Sequence, residues 1–80
     1  MDQAYFEIKS QFLTVPYYLY LFNGDRINFS YIKSHAQPIP RSRWDEVYNY
    51  LNVLDGIYLL SIRMVSVVEW QTEQGKNYEV

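Results

Sequence analysis

His35 is the only histidine in the chain, and it is the residue that could most readily move a proton near neutral pH. It follows Ser34, and nucleophilic catalysis often places a serine beside a histidine base. Such catalysis also needs a group that orients the base, and sequence neighbours in a loop seldom point at each other. We therefore interpret His35 as a loop residue. An enzyme would require this histidine to lie in a pocket, with a serine or carboxylate within hydrogen-bond reach.

Other residue types that could do chemistry are few. Asp45 and Glu46 are consecutive, which places them about 100° apart on a helix. Compensation of the helix dipole explains these two carboxylates without a catalytic role. One histidine and no cysteine provide no zinc-type ligand spacing, and the three glycines are too scattered to form a phosphate loop. The sequence thus predicts no catalytic residue, no cofactor and no metal, and the protein is not expected to be an enzyme.

Positive charge is concentrated in one aromatic segment, residues 26–44. Its four bases are separated by no acidic residue, although the net charge of the chain is −2. Such a segment could bind nucleic acid, with the bases contacting phosphates and Phe29 and Tyr31 stacking on nucleobases. Alternatively, these rings belong to the core and the charges form a solvated rim. The residues of the nucleic-acid hypothesis are Arg26, Lys33, Arg41 and Arg43.

The first part of the chain is predicted to form β-strands. Residues 4–13 alternate between apolar and polar side chains, as in a strand with one wet face. Two further strands, 17–22 and 26–33, flank Asn23-Gly24-Asp25 and predict a β-hairpin. We prefer the register that pairs Leu21 with Ile27 and Leu19 with Phe29, because it makes one face fully apolar.

One helix is predicted at about residues 43–53. Ser42 is a suitable N-cap, and Asp55-Gly56 is a suitable stop. The helical spacing is carried by four apolar residues that would face the sheet. These are Trp44, Val47, Tyr48 and Leu51.

Residues 57–70, IYLLSIRMVSVVEW, form the longest apolar run, and we interpret them as a buried central strand. Fourteen extended residues would span about 46 Å, so a bend or break is expected near Arg63 to Ser66. The even-numbered face is almost wholly apolar and should be covered. The odd-numbered face is mixed, and its apolar members Ile57, Leu59, Val65 and Val67 are less well covered. Residues 71–80 could form a last hairpin or a frayed tail.

Together these elements predict an α+β fold, a strongly bent antiparallel sheet of four to five strands with one α-helix, which could curl toward a small barrel. Eighty residues are expected to form a single domain, residues 1–80. The N-terminus lacks the features of a secretory signal, and the apolar runs are too short for a membrane span. With no cysteine present, a cytoplasmic location is expected.

One helix can cover only one side of the sheet, so the other side would be open or bound to a partner. In the preferred register that side carries Tyr18, Tyr20, Phe22 and Arg26, and tyrosine and arginine are residue types that anchor protein interfaces. The sequence therefore favours a small non-catalytic interaction protein that docks on a larger protein as a regulator, inhibitor or assembly accessory. A homodimer is the other expected form of association, and the odd-numbered face of residues 57–70 is a second place for a partner.

Overall fold

The computed structural model describes residues 2–78, and the side chains among them as far as Glu73. Within this range the chain forms an antiparallel sheet and two α-helices, joined by short 3-10 turns at Lys33–His35 and Arg41–Arg43. The strands are β1 Gln3–Ser10, β2 Tyr17–Phe22, β3 Arg26–Ser30, β4 Ile39–Pro40 and β5 Leu60–Ser66, and the helices are α1 Trp44–Tyr58 and α2 Val67–Tyr78. The predicted α+β class is confirmed, and the sheet is open rather than closed into a barrel.

Strand β1 is the centre of the sheet. It pairs along its length with β5, from Ala4 opposite Ser66 to Ser10 opposite Leu60. Its other edge is shared by β4 near the start of the strand and β2 near its end, and β3 extends the sheet beyond β2. The prediction that the run 57–70 supplies the central strand is wrong, because β5 pairs with one neighbour in the described chain and lies at an edge.

The main core lies between one side of the sheet, called the first face here, and helix α1. Apolar side chains alternate along β1 and β2, so that every second residue points at the helix. The even-numbered residues of β5 face the same way, as predicted, since Leu60, Ile62 and Met64 pack against this core. Its buried members are Ala4, Phe6, Ile8, Leu19, Ile39, Val47 and Leu51.

A smaller core lies on the opposite side of the sheet, called the second face here. Trp70 of α2 packs there with Tyr18 and Val65, and Tyr5 lies against them. The prediction of a single helix is therefore wrong: α2 covers part of the face that was expected to be left open. Residues 71–78 continue this helix, so the alternatives of a hairpin or a frayed tail fail there, and residues 79–80 lie outside the described residues.

The β2–β3 hairpin is confirmed in the predicted register. Leu21 pairs with Ile27 and Leu19 with Phe29 across a three-residue turn. Asn23 and Gly24 both have positive φ, 56° and 81°, which these residue types tolerate. Strand β3 ends at Ser30, so Tyr31 lies outside the pairing and is exposed.

Helix α1 is longer than predicted and is capped differently. Ser42 lies in the preceding 3-10 turn, and the N-cap is Arg43, which makes no side-chain capping bond. Gly56 does not stop the helix, which continues to Tyr58. The stop is Leu59 in the left-handed conformation, and the Asp55 carboxylate accepts a hydrogen bond from the Leu60 N–H at 2.7 Å.

The apolar run 57–70 is divided among the end of α1, strand β5 and the start of α2. The expected break near Ser66 is confirmed, because β5 ends there and α2 begins at Val67. The Ser66 hydroxyl accepts a hydrogen bond from the Glu69 N–H at 3.1 Å, as a helix N-cap does. None of the helices in the described residues has the length and hydropathy needed to cross a membrane.

Candidate interaction surfaces

The predicted contact residues lie on the second face, and α2 separates them into a covered and an open group. Tyr18 is only 6% exposed, because the Trp70 ring meets it edge to face with the ring centroids 5.8 Å apart. Tyr20 is half-buried, whereas Phe22 is 47% exposed and Arg26, its partner across the hairpin, is exposed. The structure thus leaves Phe22 and Arg26 exposed beside the half-buried Tyr20, and we call these three residues the hairpin face.

Tyr18 contributes to the packing of the second face rather than to an exposed surface. Burial raises the pKa of its hydroxyl, and the adjacent Glu7 carboxylate raises this pKa further by its charge and by a hydrogen bond. Glu7 is itself buried, at 9% exposure, and its carboxylate lies 3.8 Å from the Lys9 ammonium. Tyr18 and Glu7 therefore stabilise the second face beneath Trp70, and Tyr18 is not available to a partner.

His35 contacts a serine, but it is Ser30 and not the adjacent Ser34. The Ser30 hydroxyl lies 2.9 Å from the His35 Nδ1 atom, and it also accepts a hydrogen bond from the Ile32 N–H. The imidazole meets Tyr20 edge to face at 6.4 Å between centroids. This pair is exposed. The geometry braces the loop after β3, beside the hairpin face.

The four bases of the nucleic-acid hypothesis are divided between different parts of the structure, with Arg43 bonded to the hairpin turn that precedes Arg26. The Arg43 guanidinium is bonded to the Glu46 carboxylate and to the carbonyl oxygens of Gly24 and Asp25, and the bond to Glu46 raises its pKa. The Lys33 ammonium lies 5.1 Å from the Trp70 ring centroid, on the second face. Arg41 instead lies 5.3 Å from the centroid of Trp44, which packs on the first-face core.

The chain matches no protein-family model, no curated protein and no solved structure. Its function is therefore argued from the surfaces themselves. The described residues hold no cluster of three or more His, Cys, Asp or Glu side chains that could bind a metal ion.

A second surface, which sequence reasoning missed, lies at the opposite end of β2 from the hairpin face. There the last turns of α1 and the loop between β1 and β2 enclose an open groove of about 310 Å³. Its wall is apolar except for Ser10 and the hydroxyls of three tyrosines. The lining residues are Ile8, Ser10, Leu13, Tyr17, Phe29, Tyr50, Leu54, Tyr58 and Leu60.

Apolar side chains are also exposed around this groove. Two hydrogen bonds hold the loop after β1 against the end of α1: the Ser10 hydroxyl donates to the Tyr58 carbonyl at 2.7 Å, and the Gln11 N–H donates to the Leu59 carbonyl at 3.4 Å. We call the side chains assembled in this way, together with the groove, the apolar end. They are Phe12, Leu13, Val15, Val53, Ile57, Tyr58 and Leu59, each between 45% and 70% exposed.

Two signals in the sequence could have revealed the apolar end. Residues 10–22 contain no charged side chain, and residues 47–62 contain only Asp55. The predicted helix ended at residue 53, so the apolar side chains of its last turn were assigned to a strand instead of to this surface.

Proposed function

We propose that the protein is a small non-catalytic interaction protein of the cytoplasm, and that it docks on a larger protein through the hairpin face. It would act there as a regulator, an inhibitor or an assembly accessory. The contacts are Tyr20, Phe22 and Arg26, whereas Tyr18 is covered by Trp70.

One observation carries this proposal: an aromatic ring and an arginine are exposed side by side on a part of the sheet that α2 leaves uncovered. Phe22 and Arg26 are directly paired across the hairpin, and Phe22 is 47% exposed. Aromatic and arginine side chains are enriched in protein interfaces, because each buries a large area and arginine also forms directional bonds.

The hairpin face is also held in a fixed shape, which lowers the entropy cost of binding. At the turn, the carbonyls of Gly24 and Asp25 accept hydrogen bonds from the Arg43 guanidinium, which ties the tip to the start of α1. Along β2, the Leu21 N–H donates to the Gln37 side-chain oxygen at 3.1 Å, and the Gln37 N–H donates to the Leu19 carbonyl at 3.2 Å. The hairpin that carries Tyr20, Phe22 and Arg26 is therefore supported at its turn and along β2.

The proposal is tested by affinity capture from the native host, followed by mass spectrometry of the retained proteins. The wild-type chain is compared with a double variant, Phe22→Ala with Arg26→Ala, which removes the exposed ring and the cation of the hairpin face. The matched control, Val68→Ala with Lys9→Ala, removes an exposed apolar side chain and an exposed cation from other parts of the surface.

We expect one protein to be retained by the wild type and by the control, and to be lost with the hairpin variant. Retention of the same proteins by all three chains would contradict the proposal. Recovery of nucleic acid, with binding that nuclease treatment abolishes and that Arg41→Ala with Arg43→Ala weakens, would instead support the alternative of a small nucleic-acid-binding protein.

A further inference from the structure

The apolar end is large for the surface of a small monomer. Side chains of this size present on the order of 150 Å² each when fully exposed, the low end of the range for aromatic rings, so that seven exposures between 45% and 70% leave roughly 600 Å² of mainly apolar surface. The largest apolar patch on a typical monomer is about 300–600 Å². A standard interface buries about 800 Å² on each partner. The apolar end of one chain thus approaches the area that each partner contributes to a standard interface.

The charge of this end indicates which partner it fits. Asp55 is the only ionisable acid or base between residues 47 and 62, and its carboxylate is already used as the acceptor of the Leu60 N–H. A two-fold interface sets a surface against its own copy, so that any charge near the axis meets a like charge. A surface with a single carboxylate, which already accepts one hydrogen bond, limits this repulsion.

Other surfaces of the protein lack this property. A two-fold contact through the open edge of β5 would bring Arg63 of the two copies together, and one through the hairpin face would do the same with Arg26. Arg63 is already paired with Glu73 of α2, which places a charged pair beside that edge. Charged residues at the edge of a sheet oppose pairing with another strand.

The backbone at the apolar end is also suited to burial. A helix C-terminus normally leaves carbonyl groups that need water or other donors. Here the carbonyls of Asp55, Tyr58 and Leu59 accept hydrogen bonds from the Leu59 N–H, the Ser10 hydroxyl and the Gln11 N–H. Covering this end therefore costs little in lost hydration of these three groups.

We propose that the apolar end binds a second copy of the chain across a two-fold axis. Each groove of about 310 Å³ then receives apolar side chains from the other copy. Phe12 is the best placed of these, since it is 67% exposed and directly precedes Leu13, which lines the groove. The hairpin faces lie at the far ends of β2 and remain open in the dimer.

The test uses purified protein without any partner, in sedimentation equilibrium from low to high micromolar concentration. The wild type should approach twice the chain mass of 9.7 kDa. Ile57→Lys and Ile57→Glu should each weaken self-association by about tenfold or more, because each buries two like charges against each other. An equimolar mixture of these two variants should restore association, since the lysine of one chain then faces the glutamate of the other.

The control is Val68→Lys, which places the same charge on a residue of α2 that is 73% exposed, compared with 64% for Ile57. This control and the hairpin variant Phe22→Ala with Arg26→Ala should self-associate like the wild type. The dimer proposal can therefore fail independently of the proposed docking through the hairpin face. Circular dichroism checks that every variant is folded. A wild type that stays at the chain mass throughout, even one that binds lipid vesicles, would overturn the proposal. So would variants at Ile57 that associate normally, or a mixture that does not recover.

Discussion

Trp70 is the residue that determines how much of the second face stays open. Its indole stacks on Tyr5 with ring centroids 4.4 Å apart and meets Tyr18 edge to face, and Lys33 lies over the ring. Both tyrosines are thereby withdrawn from solvent along with Val65. Tyr20, Phe22 and Arg26 of the hairpin face are not part of this packed group.

Trp70→Ala should be among the most destabilising substitutions in the chain. The ring is only 6% exposed, and truncating a buried tryptophan typically costs about 3–5 kcal/mol of unfolding free energy. Urea unfolding measures the loss. Val68→Ala, on the same helix but 73% exposed, should change the unfolding free energy by less than about 0.5 kcal/mol. Similar losses in the two variants would contradict the packing described for α2.

Tyr18 should make stability depend on pH in the alkaline range. Its pKa in the folded protein is raised above the usual 10.0, chiefly by burial and then by the Glu7 carboxylate. The folded state therefore holds the proton more tightly than the unfolded state, and the associated stability is complete below pH 10.0 and is lost as pH rises through the folded pKa. Urea unfolding across this range should show a steeper loss in the wild type than in Tyr18→Phe. Equal pH dependence in the two proteins would be inconsistent with a buried hydroxyl beside Glu7.

At the scale of elements, the hairpin could be read from the sequence because its information is local. Three turn-forming residues separate two strands, and only one register places Leu19, Leu21, Ile27 and Phe29 on one face. The start of α1 near residue 43 was predictable for a similar reason, since Val47 and Leu51 recur at helical spacing. The open residues Tyr20, Phe22 and Arg26 followed from the register, whereas the burial of Tyr18 depended on a distant helix.

The run 57–70 shows what local reasoning could not settle. Its β-branched residues favour a strand, but Val67 and Val68 are helical in the structure, where Trp70 packs on the second face. The pattern Ser66-x-x-Glu69 is a sequence signature of a helix start, and it was the available sign of α2. Because this helix was missed, the open area of the second face was overestimated. The apolar end was overlooked for another reason, since the predicted α1 ended at residue 53 and not at Tyr58.

The two glycines Gly24 and Gly56 test the revised boundaries of these elements. Gly24 has φ of 81°, so Gly24→Ala should lower the unfolding free energy by about 1–2 kcal/mol. Gly56 lies inside α1, where an added Cβ would meet open space, so Gly56→Ala should raise it by about 0.5–1 kcal/mol. Thermal and urea unfolding measure both changes. A loss of stability in Gly56→Ala would indicate that the helix ends at this glycine, as the sequence alone suggested.

At the scale of the whole molecule, the two candidate surfaces lie at opposite ends of β2. Phe22 belongs to the hairpin face, and Tyr17 lines the groove of the apolar end. Five intervals along the strand separate the two by about 17 Å. A dimer formed through the apolar ends would therefore present two hairpin faces pointing away from each other. Such a dimer could bind two sites of one assembly with greater avidity than a monomer.

The measurement that bears most directly on the proposed function is the quantity of the captured protein recovered by Phe22→Ala with Arg26→Ala relative to the wild type. We predict that recovery falls to about one tenth or less, the effect expected when hot-spot side chains worth more than 1.4 kcal/mol are removed. The control Val68→Ala with Lys9→Ala should recover as much as the wild type. Equal recovery by the hairpin variant, in a chain that remains folded, would contradict docking through the hairpin face.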